Sequence, residues 1–198
     1  MLGALALLAP VAASAQTLTQ TRTLAQEVEQ DLTEGILPFW LDHTVDPAGG
    51  FYGTVANDGT PQPGADKGAI LNARILWTFS RAYRTYGLAS YKEAADRAAA
   101  WFKEHFIDPR YGGVYWTVDC EGTMKDGTKQ IYASAFGIYG LSEHFRATGD
   151  LSSLASATRA VVHVTNAGTN SVAQCLPVRD GRVALELPAE SFISIFVR

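Results

Sequence analysis

The chain has 198 residues, and its 47% hydrophobic and 11% aromatic content is that of a globular protein with a sizeable core. A formal net charge of -4, with no basic run anywhere, argues against a nucleic-acid binder. Four tryptophans and eight tyrosines suit a sugar-binding cleft and an ordinary core alike.

The N-terminus reads as a processing signal. Residues 1–13 are apolar and interrupted by Pro10, and Ala13-Ser14-Ala15 fits the small-x-small rule for cleavage before Gln16. The stretch is too short to anchor stably in a bilayer. Residues 1–15 are therefore expected to be a signal peptide. The mature chain would be periplasmic or secreted, with no membrane attachment after cleavage. Cys120 and Cys175 would then meet an oxidising compartment, but they lie in unrelated segments, and free, buried thiols are expected.

Leu24, Val28, Leu32 and Ile36 recur every fourth residue among Gln and Glu, which predicts an amphipathic outer helix from Leu18 to Leu41 with one buried stripe. Pro38 is expected to kink or shorten it. A turn-rich hairpin follows, with Asp46-Pro47, Gly49-Gly50 and Asn57-Asp58-Gly59, and Phe51–Val55 as a short strand. Lys67–Gly87 then reads as a helix that is apolar all round, which predicts burial on every side. Arg74 stands in its middle, and a buried arginine needs a partner or a task. Tyr91–His105 is a second outer helix, with Lys92, Glu93, Asp96, Arg97 and Lys103 expected in water. A second glycine-rich hairpin leads to Gln130–Thr148, again apolar nearly all round and stopped by Gly149.

The order is outer helix, hairpin, inner helix, twice over, and the letters repeat with it. Gly49-Gly50-Phe51-Tyr52 recurs as Gly112-Gly113-Val114-Tyr115 at a spacing of 63, and Arg84-Thr85-Tyr86-Gly87 as Arg146-Ala147-Thr148-Gly149 at a spacing of 62. Such repetition predicts a ring or array of helical hairpins. Beyond Asp150 the texture becomes β-branched and alternating: 160–165, 171–178, 183–187 and 191–197 read as strands, with Asp180-Gly181 as a hairpin turn. The fold class is thus mainly α: a partial (α/α) barrel over residues 16–150, then a short all-β tail of different origin over 151–198.

Three motifs carry a family resemblance: Asn72-Ala73-Arg74-Ile75-Leu76-Trp77-Thr78-Phe79-Ser80, Gly112-Gly113-Val114-Tyr115-Trp116, and Ile131-Tyr132-Ala133-Ser134-Ala135-Phe136-Gly137 continuing to Glu143. Over Thr23 to Asp150 the chain resembles the N-acylglucosamine 2-epimerase family, most closely its cellobiose 2-epimerase branch. The resemblance implies part of an (α/α)6 barrel of twelve helices. It implies inversion at C2 of a mono- or disaccharide with a reducing end, with no cofactor and no metal. A base takes the C2 proton of the opened sugar, an enediolate forms, and an acid returns a proton on the other face. The growing oxygen charge needs a fixed cation or donors. The resemblance gives Arg74 that catalytic role and Tyr132 a contact with the sugar; Trp77 and Trp116 are further candidates for sugar contact, with plain core packing as the alternative. Where the family has Gly-Gln after the tyrosine, this chain has Ala133-Ser134.

The family's acid and base are histidines. None of His43, His105, His144 and His163 occupies a family catalytic motif, and each is expected to be structural or on the surface. The tail from Thr158 loosely resembles the end of a β-sandwich of secreted glycoside hydrolases. With about a third of the barrel and no catalytic histidine, the chain alone is expected not to epimerise sugars. The alternative is a secreted, non-catalytic carbohydrate-binding or helical-repeat fragment from a fused or truncated gene.

Overall fold

In a computed structural model, the structure describes residues 21–157, 160–166, 169–176 and 192–195. The signal-like N-terminus, the strand expected at 183–187 and the Asp180-Gly181 turn lie outside these residues. The chain falls into two compact units that meet at His43 and Thr44.

The described part of the first unit is one interrupted helix: α1 (21–30), a wider π-type stretch Asp31–Ile36, and α2 (Leu37–His43). The Leu37 N–H reaches five residues back to the Leu32 carbonyl. Pro38 has no N–H to give, and its ring would crowd the carbonyl four residues back in a regular turn. The wide turn before it relieves both problems, so the proline widens the helix rather than ending it. The stripe expected to be buried is largely in water: Leu24, Val28 and Ile36 are 59%, 61% and 46% exposed. A period of four shows which side of a helix is apolar; it does not supply the surface that covers it.

The second unit holds the two inner helices. These are α3 (Ala69–Tyr86) and α5 (Ile131–Thr148), both of 18 residues, each entered from extended backbone and each ended by a left-handed glycine, Gly87 and Gly149. They lie side by side in the same direction, since Trp77 stacks on Tyr139 and, further along both, Arg84 pairs with Glu143. Gly140 makes the approach possible: a Cβ there would sit 2.7 Å from the Ala73 carbonyl oxygen. Outer helix α4 (Ala89–Trp101) packs an alanine-rich face on α3 and runs into a second wide turn, Phe102–Phe106. A further helix, α6 (Leu151–Ala157), packs on α5, so the helical array runs past Asp150.

The expected hairpin strand at Phe51–Val55 is reduced to two isolated bridges, Val45 with Phe51 and Val55 with Pro61. What forms instead is a small antiparallel sheet in the order β1 (Lys67–Gly68), β2 (Thr117–Val118), β3 (Met124–Asp126). It ties the second hairpin to the start of α3. In the tail, β4 (Ala160–Asn166) lies between β5 (Thr169–Leu176) and β6 (Phe192–Ile195), all antiparallel.

The hairpins are held to the inner helices by a repeated buried ion pair. Lys67 is fully buried; its Nζ lies 2.7 Å from Asp46 Oδ2, 2.8 Å from the Gly49 carbonyl and 4.1 Å from the centre of the Trp101 ring. Sixty-two residues on, Lys129 Nζ lies 3.0 Å from Asp108 Oδ2 and 3.8 Å from the Tyr115 ring. In both repeats the other carboxylate oxygen caps the turn, Asp46 through Ala48 N–H and Asp108 through Arg110 and Tyr111 N–H. The glycines explain themselves here: Gly50 has φ 62° and runs under Trp101, where a Cβ would lie 2.6 Å from the indole.

Arg97 and Lys103, expected in water, are engaged in this scaffold. Arg97 donates to the Asp46 and Gly50 carbonyls, and Lys103 pairs with Asp150 at 2.9 Å. Their partners lie about 50 residues away, beyond the reach of a helical periodicity. Removing Lys67 strands a buried carboxylate, so Lys67→Ala is expected to cost about 3–5 kcal/mol in urea unfolding. Lys67→Met combined with Asp46→Asn is expected to cost less than Lys67→Ala. Equal losses would show that the charge pairing does not matter.

Candidate functional site

An open cavity of about 620 Å³ lies along the joint between α3 and α5, lined by Arg74, Trp77, Thr78, Tyr132, Ala135, Phe136 and Tyr139. Three of the four residues expected at a site are thus brought together. Arg74, Trp77 and Thr78 come from one face of α3, and Tyr132, Phe136 and Tyr139 follow at i, i+4 and i+7 on α5, one stripe of a helix. Tyr132 meets the Phe136 ring edge-on at 4.9 Å, and Phe136 meets Tyr139 edge-on at 6.1 Å. Trp77 lies nearly parallel to Tyr139, with centroids 4.9 Å apart.

Two expectations need correction here. Arg74 is exposed, not buried; its task is at an open wall. The inner helices are not buried all round: Tyr132 is 59% exposed and Tyr139 45%. Aromatic side chains that face a cavity look in sequence like core residues, because they are apolar at the same spacing.

Trp116 is not among the lining residues. Its ring is half-buried, and its backbone serves the scaffold: the N–H donates to the Asp126 carbonyl and the carbonyl accepts from Ala69 N–H, at the entry to α3. Thr78, Phe136 and Tyr139 were missed by motif reading. Counting four and seven residues on from Tyr132, and four from Arg74, would have found them.

Electrostatically the cavity holds one cation and two phenols. Burial, then the nearby Glu143 carboxylate, raises the Tyr139 hydroxyl above its usual range, with Arg74 acting the other way. The phenol therefore stays protonated and able to donate. Glu143 is itself buried and is held by Arg84 at 2.8 Å and Arg146 at 3.1 Å. Among the described residues, no three His, Cys, Asp or Glu side chains converge to hold a metal. An array of fixed donors and aromatic faces can bind a polyhydroxylated ring and stabilise negative charge on its oxygens.

No described histidine lines the cavity. His43 packs by Phe39 at 5.0 Å, and His105 stacks on Trp101 at 3.9 Å with Nδ1 3.1 Å from the Gly122 carbonyl. His163 lies in β4, in register with Ala173 and Ser194. His144 is buried, with Nδ1 2.9 Å from Ser153 Oγ and Nε2 3.0 Å from Asp96 Oδ1. The arrangement has the members of a hydrolytic triad but not the access: Ser153 is fully buried. It binds α4, α5 and the start of α6 together instead, with Asp150 and Lys103 completing the cluster. Asp96 keeps 45% of its side chain in water, as expected, and divides its oxygens between Lys92 and this histidine.

Burial holds the His144 pKa below its ordinary value, despite the opposing pull of Asp96 and Asp150. The folded state therefore keeps the ring neutral while the unfolded chain takes up a proton near pH 6.5. Stability from this site is complete above about pH 6.5 and is lost as pH falls from there toward the lower folded value. Asp150 and Asp96, both held below the usual carboxylate range, add a separate loss at more acid pH. Melting temperature is expected to fall between pH 7 and pH 5 in the wild type. His144→Gln is expected to melt lower at pH 7 and to show a flatter profile over that window. An unchanged slope would show that another group governs it.

Comparison with known proteins gives a consistent picture. A model of the N-acylglucosamine 2-epimerase (GlcNAc 2-epimerase) family matches residues 50–173. That match continues beyond Asp150, where the likeness was expected to stop. The cellobiose 2-epimerase of Bacteroides fragilis is 53% identical over 137 residues, which are 69% of this chain and 35% of that protein. The cellobiose 2-epimerase of Ruminococcus albus is 44% identical over 136 residues, again 69% and 35%. The solved structure of cellobiose 2-epimerase from Spirochaeta thermophila is 36% identical with a TM-score of 0.67, over 70% of this chain and 34% of that one. The chain spans about a third of the length of the curated relatives it matches.

Proposed function

The chain belongs to the N-acylglucosamine 2-epimerase family, and from that membership we propose that it carries the charge-stabilising, sugar-stacking part of a sugar 2-epimerase site. The substrate class is a mono- or disaccharide with a reducing end. The observation that carries the reading is the placing of Arg74 on an open wall beside Tyr132, Trp77 and Tyr139.

The chemistry follows from that geometry. When the C2 proton of an opened aldose leaves, charge grows on the C1 and C2 oxygens. Arg74 offers a cation that needs no protonation step and sits on a rigid helix, so little reorganisation is required as the charge appears. Tyr132 offers a neutral donor, and the aromatic stripe on α5 offers flat faces to the sugar ring. Trp77 lies in the same wall with one face against Tyr139. Proton transfer at C2 needs a base, and none of the cavity-lining residues is a carboxylate, a histidine or a lysine.

A hybrid tests this directly. The matching third of the Bacteroides fragilis relative is replaced by residues 24–157 of this chain, and conversion of cellobiose at C2 is followed by chromatography. The hybrid is expected to be active, and Arg74→Ala within it to lower kcat by about 10²–10³-fold, with Arg74→Lys between. A folded hybrid inert toward cellobiose would sink the reading. The chain by itself is expected to give no C2 epimer; product abolished by Arg74→Ala would overturn that.

The same reading makes the protein an exported one, periplasmic or secreted, on the strength of the apolar residues 1–13 and Ala13-Ser14-Ala15. N-terminal sequencing of the mature chain is expected to begin at Gln16. A chain that keeps Met1 and stays in the cytoplasm would refute export.

A further inference from the structure

The arginines of the two inner helices fall into two groups. Arg81, Arg84 and Arg146 all turn to the Glu143 carboxylate, at 4.0, 2.8 and 3.1 Å. Arg74 does not: among the described residues it has no carboxylate within ion-pair reach. It stands exposed on the cavity wall, and none of the lining residues is acidic. The cavity therefore carries one uncompensated positive charge, in a chain whose net charge is -4. Glu143, the carboxylate whose charge is felt at Tyr139, is already neutralised by its own arginines.

The rest of the wall supplies donors and flat faces. Tyr132 and Thr78 bring neutral hydroxyls, and the Tyr139 phenol stays protonated. Trp77 and Phe136 bring apolar surface. A volume of about 620 Å³ suits a whole small organic ligand rather than a bare ion.

We propose that this cavity binds sugar acids, open-chain aldonates above all, with the C1 carboxylate on Arg74 and the rest of the sugar along the aromatic wall. The proposal rests on the sugar-site reading and goes beyond it in naming an anionic ligand class. A neutral sugar offers Arg74 charge only while a proton is leaving C2, whereas an aldonate offers a full charge at rest. A carboxylate is planar, and a guanidinium takes its two oxygens in a matching fork. It also lies where the oxygen charge grows during reaction, so an aldonate resembles the charged intermediate more than the sugar does. One charge is the right number. A sugar phosphate brings about two negative charges to a wall with one cation, and the second finds only neutral hydroxyls. Binding needs no base, so the chain can show it without turning a sugar over.

Isothermal titration calorimetry on the purified full chain, at low ionic strength, compares cellobionate with cellobiitol, its uncharged counterpart of the same length. Cellobionate is expected to bind at least about tenfold more tightly, and the preference to shrink as salt rises. Because Arg74 is exposed, Arg74→Ala is expected to fold as the wild type does and to lose the preference, with Arg74→Lys keeping part of it. Arg81→Ala, which trims the arginine cluster at Glu143, is expected to keep all of it. Equal affinities for the two ligands would overturn the proposal, as would the absence of cellobionate binding. So would a preference that survives Arg74→Ala or vanishes in Arg81→Ala, since either result seats the anion away from Arg74. The two readings fail separately: a hybrid that epimerises cellobiose upholds the sugar site even where cellobionate and cellobiitol bind alike.

Discussion

The buried lysine–aspartate pair is the constraint from which the rest of the structure follows. One carboxylate oxygen of Asp46 shapes the hairpin turn and the other holds Lys67, which enters α3 two residues later. The turn, the start of the inner helix and the indole of Trp101 are thereby fixed to one another. Burying two charges is costly, and such a pair adds little net stability over apolar packing. What it adds is position, since an ammonium ion has few buried places to be. Arg74 stands five residues, about one and a half turns, beyond the start of α3 at Ala69. Fixing the lysine fixes the register of the helix that presents the arginine.

The second repeat shows which residues serve the scaffold and which do not. Asp108, Lys129, Arg146 and Gly149 stand 62 residues from Asp46, Lys67, Arg84 and Gly87. The two copies part company at the cavity, where Ile70 and Arg74 of the first correspond to Tyr132 and Phe136 of the second. Scaffold positions are bound by the same geometry in each repeat and keep the same chemistry. Cavity positions face one shared space from two sides, so the same residue twice would serve no purpose. A cation from one helix and phenols from the next is what that asymmetry yields.

This division explains how much was legible in the sequence. The two helical hairpins, their order and their glycine stops were readable, because period and turn chemistry are local. Arg74, Trp77 and Tyr132 come from motifs in the sequence and line one cavity, whereas Trp116, from a motif of the same kind, does not line it: a motif gives residues in line but not which way each one turns. The clamp at His144 was not readable. Asp96 lies 48 residues from it, and a lone histidine on a helix says nothing of its partner. Nor was the role of Arg97 and Lys103, whose charges suggest solvent and whose partners are carbonyls and a carboxylate about 50 residues away.

A helix apolar on every side is ordinarily buried on every side, and α3 and α5 depart from that. An inner helix of this array has three surroundings: its neighbours, the outer layer and the cavity. The first two ask mostly for small or aliphatic residues, and Ala73, Ile75 and Leu76 are almost wholly buried. The third asks for flat faces, which are also apolar. Tyr132, Phe136 and Tyr139 thus complete the circumference of the helix without being core. Apolar character marks two different tasks here, and only the hydroxyls and the arginine among those rings distinguish a wall that meets a polar ligand from one that meets another helix.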